Sequence, residues 1–296
     1  MRALPGESCR EHFRAFLGSP LVFSFFDKQT STWTYLAVDP ATREFVVIDP
    51  VLDYDNTTGT ASTQTADCIL DFIKRKGLKI SRILETHAHA DHLTASQYLK
   101  AKLPGNVPVC IGKRITQVQK MFAPRYGLDP ASLADAFDIY LEDDEEFKIG
   151  ELSCRVIHIP GHTVDHIGYV IGKSAFTGDS IFMPDIGSAR ADFPGGNAKD
   201  LYSSLHRLLA SPQDYRLFPC HDYPPEGRDP NCIATVDEQR QSNVHVKTGI
   251  SESCFIKVRE ARDATLTAPK LLHPSLRVNI CAGRLPSEDG SRRTSE

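Results

Sequence analysis

Short runs of aromatic and β-branched residues punctuate the first fifty positions. Residues 20–26 (PLVFSFF), 31–38 (STWTYLAV) and 44–50 (EFVVIDP) are separated by Asp27-Lys28-Gln29 and Asp39-Pro40-Ala41-Thr42. That spacing predicts an antiparallel meander ending at Asp49-Pro50. Residues 51–61 (VLDYDNTTGTA) lose the pattern and read as a polar loop. From Ala66 to Lys74 the period changes: Ile69, Leu70 and Ile73 recur at helical spacing. A strand over 78–84 (LKISRIL), a helix over 93–103, a strand over 107–111 and a helix over 114–122 follow. Pro124 and Pro130 break residues 123–140 into irregular structure. Two strand-like pieces flank Gly150 within 147–159, and two more, 168–171 and 174–177, are split by Gly172-Lys173. A long loop over 180–197 leads to an amphipathic helix over 198–209, a strand over 215–219, and helices over 233–246 and 252–262. Strands and helices alternate without a break in composition. One α/β domain over 1–265 is therefore expected, with 266–296 as a C-terminal extension ending in a frayed polar tail.

Composition narrows the picture mainly by exclusion. The 296 residues are 41% hydrophobic and 24% charged, enough apolar surface for a sizeable core. A net charge of −4 gives no basic footprint for nucleic acid. No apolar run approaches the ~20 residues of a membrane span. The eight cysteines are scattered with no Cys-x-x-Cys pair, so they read as thiols in a reducing compartment. The cytoplasm is the expected location. The first residues mix Arg2, Arg10 and Arg14 with Glu7 and Glu11 and lack an apolar stretch. A secretory signal is not expected there, and a mitochondrial location is the alternative.

The chemistry gathers in one run, Glu85-Thr86-His87-Ala88-His89-Ala90-Asp91-His92, placed where a strand ends and a helix begins. Imidazole and carboxylate are the usual ligands of zinc and of non-haem iron. A polar loop with several surface histidines is the plainer reading, but burying four such groups without a cation leaves each unsatisfied. Three more candidates, His162, Asp179 and His221, each stand just after a predicted strand. Singly each is unremarkable for a turn; together they suggest one metal site built from four strand ends. The acidic run 142–146 reads as a solvated turn, and His158, His166, His206, His245 and His273 lack partners at ligand spacing.

His-x-His-x-Asp-His, then Pro160-Gly161-His162-Thr163, then Thr177-Gly178-Asp179, then a late histidine resembles the motif order of the metallo-β-lactamase superfamily. The resemblance covers about residues 20–262 and implies an αββα sandwich with the metal site at one edge of the two sheets. Thr177-Gly178-Asp179-Ser180, Ala189-Arg190-Ala191-Asp192-Phe193 and His221-Asp222-Tyr223 resemble the persulfide dioxygenase branch. The segments MPDIGSARADFPGG and LLHPSLRVNICAG resemble its bacterial-type members, sometimes labelled β-lactamase-like hydrolases. That branch implies one Fe(II) per chain held by His87, His162 and Asp179, the set that also carries the chemistry. The implied reaction oxidises glutathione persulfide with O₂ to sulfite and glutathione, in sulfide detoxification.

Other readings stay open on the same residues. The chain keeps every ligand of a dinuclear hydrolase such as glyoxalase II: His87, His89 and His162 for one metal, Asp91, His92 and His221 for a second, with Asp179 bridging. Two zinc or iron ions would then activate a water against a thioester. A non-catalytic metal-binding module is the third reading. In a mononuclear enzyme, His89, Asp91, His92 and His221 would orient the ligands or bound water. The partner is a small thiol or persulfide; a homodimer is left open. Arg190 and Tyr223 match positions near glutathione in the branch, and Arg228 is a further candidate for its carboxylates. Arg190 could equally pair with Asp192 or Asp185. Met183-Pro184-Asp185 and the loop from Pro224 to Asn231 differ from the animal-type enzymes, which implies a reshaped thiol pocket.

Overall fold

A computed structural model describes residues 9–12, 18–129, 133 and 135–286. The chain opens with β1 (Cys9–His12), β2 (Leu21–Asp27), β3 (Thr32–Val38) and β4 (Glu44–Ile48), each antiparallel to the one before. A hairpin of β5 (Val51–Asp55) and β6 (Thr60–Ser62) follows, then α1 (Gln64–Lys76) and β7 (Lys79–Leu84). Beyond the histidine run come β8 (Leu93–Thr94), α2 (Ser96–Lys102), β9 (Val109–Gly112), α3 (Ile115–Phe122) and β10 (Ile139–Leu141). The second half contains β11 (Glu146–Ile149), β12 (Leu152–His158), β13 (Ile167–Ile171), β14 (Ser174–Gly178), α4 (Ala198–Leu209), β15 (Arg216–Pro219) and β16 (Ala234–Thr235). It ends with α5 (Val236–Ser242), α6 (Glu252–Asp263) and α7 (Leu272–Asn279).

Two sheets result. One has the order β1-β2-β3-β4-β7-β9-β10, and the other runs β11 to β16 in sequence order. Their facing sides share one apolar layer containing Trp33, Tyr35, Ile48, Tyr169, Phe176 and Phe218. The period-2 rule explains β3: Trp33, Tyr35 and Ala37 enter that layer, while Leu36 and Val38 face the helices with Phe23. With both faces covered, the strand reads as continuously apolar rather than alternating. Ile69 and Phe72 of α1, Leu99 of α2 and Leu276 of α7 cover the first sheet; Leu201, Leu205 and Phe255 of α4 and α6 cover the second. The expected αββα sandwich is therefore the observed one. Among the described residues no helix is long and apolar enough to cross a membrane.

Several local expectations need correction. Residues 51–61 are a hairpin rather than a loop; Val51 and Leu52 also pair with Thr94 and Leu93, so a third small sheet, β6-β5-β8, frames the histidine run. That pairing removes Leu93 and Thr94 from the helix expected over 93–103, which starts only at Ser96. The helix expected over 233–246 begins at Val236, because Thr235 and Glu238 form a reciprocal cap. Residues 266–286, read as an extension, contain α7, whose Leu276 and Val278 are buried in the first sheet's core. The polar tail 287–296 lies outside the described residues.

Candidate metal centre

Strand direction assembles the site. β12 and β14 run the same way, since each is antiparallel to β13, and β15 is parallel to β14. Their carboxyl ends therefore share one edge, and they deliver His162, Asp179 and His221 there. β7 of the other sheet delivers His87 to the same place. An isolated bridge between Thr32 and His221 joins the two sheets at this edge. Two glycines make the turns. Gly178 has φ +49°, and a Cβ there would stand 2.6 Å from Thr86 Oγ1 and 2.7 Å from His166 Nε2. Gly161 has φ +129° and lies against the start of α4, where a Cβ would meet Leu201 N at 2.2 Å.

His87, His162 and Asp179 offer donor atoms that all lie within 4.8 Å of one another, and all three are buried. His162 Nε2 is 3.7 Å and His87 Nε2 4.0 Å from Asp179 Oδ2. These gaps are too wide for hydrogen bonds. They are a few tenths of an ångström wider than the roughly 3–3.5 Å between two donors bound at about 2.1 Å to one cation. His87 Nε2 and Asp179 Oδ1 are buried without a hydrogen-bond partner, as are His89 Nδ1, both ring nitrogens of His92 and His221 Nε2. So many converging orphans fit a cation rather than a proton network.

The other ring nitrogens fix which atom is free. Thr86 Oγ1 donates to Asp49 Oδ2 at 2.9 Å, so it can only accept from His87 Nδ1, 3.0 Å away. His162 Nδ1 donates to the Arg190 carbonyl at 2.8 Å, and His221 Nδ1 to the Ser31 carbonyl at 3.1 Å. His89 Nε2 donates to Asp49 Oδ1 at 3.0 Å, with Glu85 Oε2 at 3.4 Å. Each ring thereby turns a lone pair toward the centre: Nε2 for residues 87, 162 and 221, Nδ1 for His89.

A second group, His89, Asp91 and His92, also converges. His221 Nε2 lies 3.0 Å from Asp91 Oδ2 and 3.5 Å from Asp179 Oδ2. Burial, then the neighbouring imidazoles of His89 and His166, hold His87 well below the usual imidazole range. Burial pulls His221 the same way, but Asp179 and Asp91 outweigh it and push it up to about 9. Burial likewise opposes charge on His89, yet Asp49 and Glu85 raise it well above its ordinary value.

Several supporting residues escaped sequence reasoning. Asp49, read as punctuation, is a buried non-glycine with φ 50° that orients both Thr86 and His89. His166, read as bland, accepts the Asp179 backbone N–H at 2.8 Å. Asp165 Oδ2 accepts the Ala88 N–H at 2.9 Å and so ties the two histidine turns together. Asn279 donates to the His89 and His92 carbonyls at 2.8 and 2.7 Å and accepts the Thr94 N–H at 2.9 Å. A positive φ and a contact 190 residues away leave no local signature.

A cavity of about 640 Å³ opens over Asp91, His162 and Asp179, walled by Phe182, Phe193 and Tyr223. Tyr223 stacks on the His221 ring at 5.7 Å. Arg190 lines the cavity, but its guanidinium grips Asp192 through two 2.6 Å bonds. Arg228 does not line it. It pairs bidentately with buried Asp222 at 2.7 Å and with Asp185 at 2.7 Å, which removes it from the expected carboxylate-binding role.

An αββα sandwich with histidine and aspartate donors converging at one sheet edge defines a metal-binding α/β protein. Residues 28–221 match the metallo-beta-lactamase superfamily, and the chain belongs to that superfamily. It is 46% identical over 273 residues to the beta-lactamase hydrolase-like protein of Agrobacterium fabrum, covering 92% of this chain. It spans 63% of that relative's length, less than two thirds. Glyoxylase B2 of Dictyostelium discoideum is 43% identical over 268 residues, covering 90% of this chain and 91% of that one. The mitochondrial persulfide dioxygenase ETHE1 of Homo sapiens is 31% identical over 245 residues, 81% of each chain. The crystal structure of ETHE1 from Myxococcus xanthus aligns with a TM-score of 0.71 at 31% identity, covering 89% of this chain and 100% of that one.

Proposed function

We infer that the chain is an Fe(II)-dependent persulfide dioxygenase that oxidises glutathione persulfide with O₂ to sulfite and glutathione. The observation that carries this reading is the convergence of His87, His162 and Asp179 beneath the cavity. Two imidazoles and one carboxylate on one side of a cation are the donor set of non-haem iron oxygenases, with the other side left for O₂ and substrate. The similarity to the human persulfide dioxygenase over four fifths of both chains supports it. When bound, iron supplies a centre through which a sulfur anion and O₂ exchange electrons.

The chain's own residues then do three things. Thr86 and the Arg190 carbonyl keep His87 and His162 in the tautomer that presents Nε2. His166 holds the Asp179 backbone so that its carboxylate reaches the same point. Phe182, Phe193 and Tyr223 give a soft apolar wall for a polysulfur chain.

The test is oxygen uptake by protein loaded anaerobically with Fe(II). About one iron per chain and consumption of O₂ with glutathione persulfide are expected; no uptake with fully loaded protein overturns the reading. A second reading, a dinuclear thioester hydrolase, is favoured by the second converging group, His89, Asp91 and His92, and by the hydrolase-like and glyoxylase relatives. Two metals per chain with turnover of S-lactoylglutathione would select it. Stable metal binding with neither activity would leave the non-catalytic module.

A further inference from the structure

Cys110, Cys154 and Cys232 pack in the apolar layer between the sheets, and Cys281 packs in the core under the first sheet's helices. Cys220 is only 1% exposed, yet it belongs to none of the three apolar clusters. Imidazole and carboxylate surround it instead. Its Sγ lies within 4.8 Å of one donor atom each of Asp179 and His221, and within the same reach of Asp49 and His89. Among the described residues it is the one cysteine that joins such a donor group.

The end of β15 puts the thiol there. Phe218 enters the layer between the sheets, so Cys220, two positions on, is turned the same way. Its N–H carries the ladder on to the Gly178 carbonyl at 3.0 Å, and its carbonyl accepts the Trp33 N–H at 2.7 Å. The residue is thus fastened to both sheets at the edge that bears the donors. The two groups that share the thiol differ in what is still free. In one, His89 Nε2 and Asp49 Oδ1 already hold each other at 3.0 Å. In the other, Asp179 Oδ1 and His221 Nε2 are buried without a hydrogen-bond partner. His221 Nε2 stands 3.5 Å from Asp179 Oδ2, the spacing of two donors held at about 2.1 Å on one tetrahedral ion.

We propose that Cys220 is a sulfur donor for a second, thiophilic metal ion, held with Asp179 and His221 beside the His87–His162–Asp179 position. Cys220 lies outside the histidine and aspartate motifs, and it makes the two neighbouring positions chemically unequal. Thiolate favours zinc and other soft ions, whereas two imidazoles and a carboxylate without sulfur suit iron. On coordination the thiol gives its proton to solvent and binds as thiolate. The inference holds whether the loaded centre oxidises a persulfide or hydrolyses a thioester, because it concerns which ions stay rather than which bond they break.

The experiment titrates metal-free protein with Co(II) in the absence of oxygen. It compares the original protein with Cys220→Ser and Cys220→Ala, each checked for an unchanged melting temperature. Serine keeps the size of the side chain and removes the sulfur. The original protein is expected to gain the intense near-ultraviolet absorption of sulfur-to-cobalt charge transfer as the second ion binds, and both variants should lack it. Zinc competition against a chelator should show the second ion weakened by more than about 100-fold in the variants, beyond what loss of an orienting neighbour brings. A band absent from the original protein, a band that survives in Cys220→Ser, or a second ion weakened no more than that overturns the proposal. Should neither variant keep its melting temperature, the original protein decides alone. X-ray absorption of its zinc form must then show a sulfur neighbour at about 2.3 Å, and a shell of nitrogen and oxygen only overturns the assignment.

Discussion

Replacing Asp49 by Asn asks whether one buried carboxylate aims the metal donors. Shape is kept, and Asn tolerates the left-handed backbone that Asp49 adopts at φ 50°. Oδ1 accepts the Thr86 N–H at 2.8 Å and the His89 Nε2–H at 3.0 Å, while Oδ2 accepts the Thr86 hydroxyl at 2.9 Å. The amide oxygen must stay at the Oδ1 position, because the alternative sets its NH₂ against two donors. The NH₂ then faces the Thr86 hydroxyl, whose proton has to turn to His87 Nδ1, 3.0 Å away. That drives the imidazole proton to Nε2, the atom that points at Asp179. Losing a charge-assisted buried hydrogen bond costs about 1.5–3 kcal/mol. A ligand with a disturbed orienting partner typically loses about 10–100-fold in metal affinity, or about 1.4–2.7 kcal/mol. The assay is Fe(II) and Zn(II) affinity by competition with a chromophoric chelator, alongside thermal unfolding of metal-free protein. Affinity within twofold of the original would refute the tautomer argument, whatever happens to activity.

Asn279→Ala should cost about 2–4 kcal/mol in denaturant unfolding and loosen metal binding, because it strands the two loop carbonyls and the Thr94 N–H; an intact metal affinity would show that α7 is only packing. Arg228→Ala should lower stability by leaving buried Asp222 unpaired, while KM for glutathione persulfide stays within about twofold; a large KM effect would return Arg228 to the substrate site. In metal-free protein, His221 has its pKa raised to about 9. Its contribution is fully present below the unfolded value near ~6.5 and is lost as pH rises through about 9. Denaturation of chelator-treated protein should therefore show stability falling over that window, about 3 kcal/mol of it from His221, and the slope should be shallower by that amount in His221→Asn, the rest coming from His89, which is raised as well.

The sandwich was legible because both apolar faces of each central strand write themselves into the chain, as in STWTYLAV and EFVVIDP. The β5–β6 hairpin was not, since VLDYD is short, half polar and only its first two residues are fully buried. The donors were legible because histidine and aspartate at strand ends have few other uses. Their supports were not: Asp49, His166 and Asn279 matter through hydrogen bonds that span up to 40, 13 and 190 residues. Cation availability was the hardest quantity to read. Sequence leaves the pairing of Arg190 and Arg228 open, and the fold binds them to Asp192 and Asp222.

The clasp of Asn279 on the histidine loop has a temporal side. The loop's carbonyls are synthesised 187 to 190 residues before the amide that closes over them. A growing chain therefore carries the histidines of this run unfastened until Asn279 has been made, and a transient detachment of α7 returns them to that condition. Metal retention during mild heating becomes a gauge of the far end of the chain, readable before any strand of the sandwich has come apart.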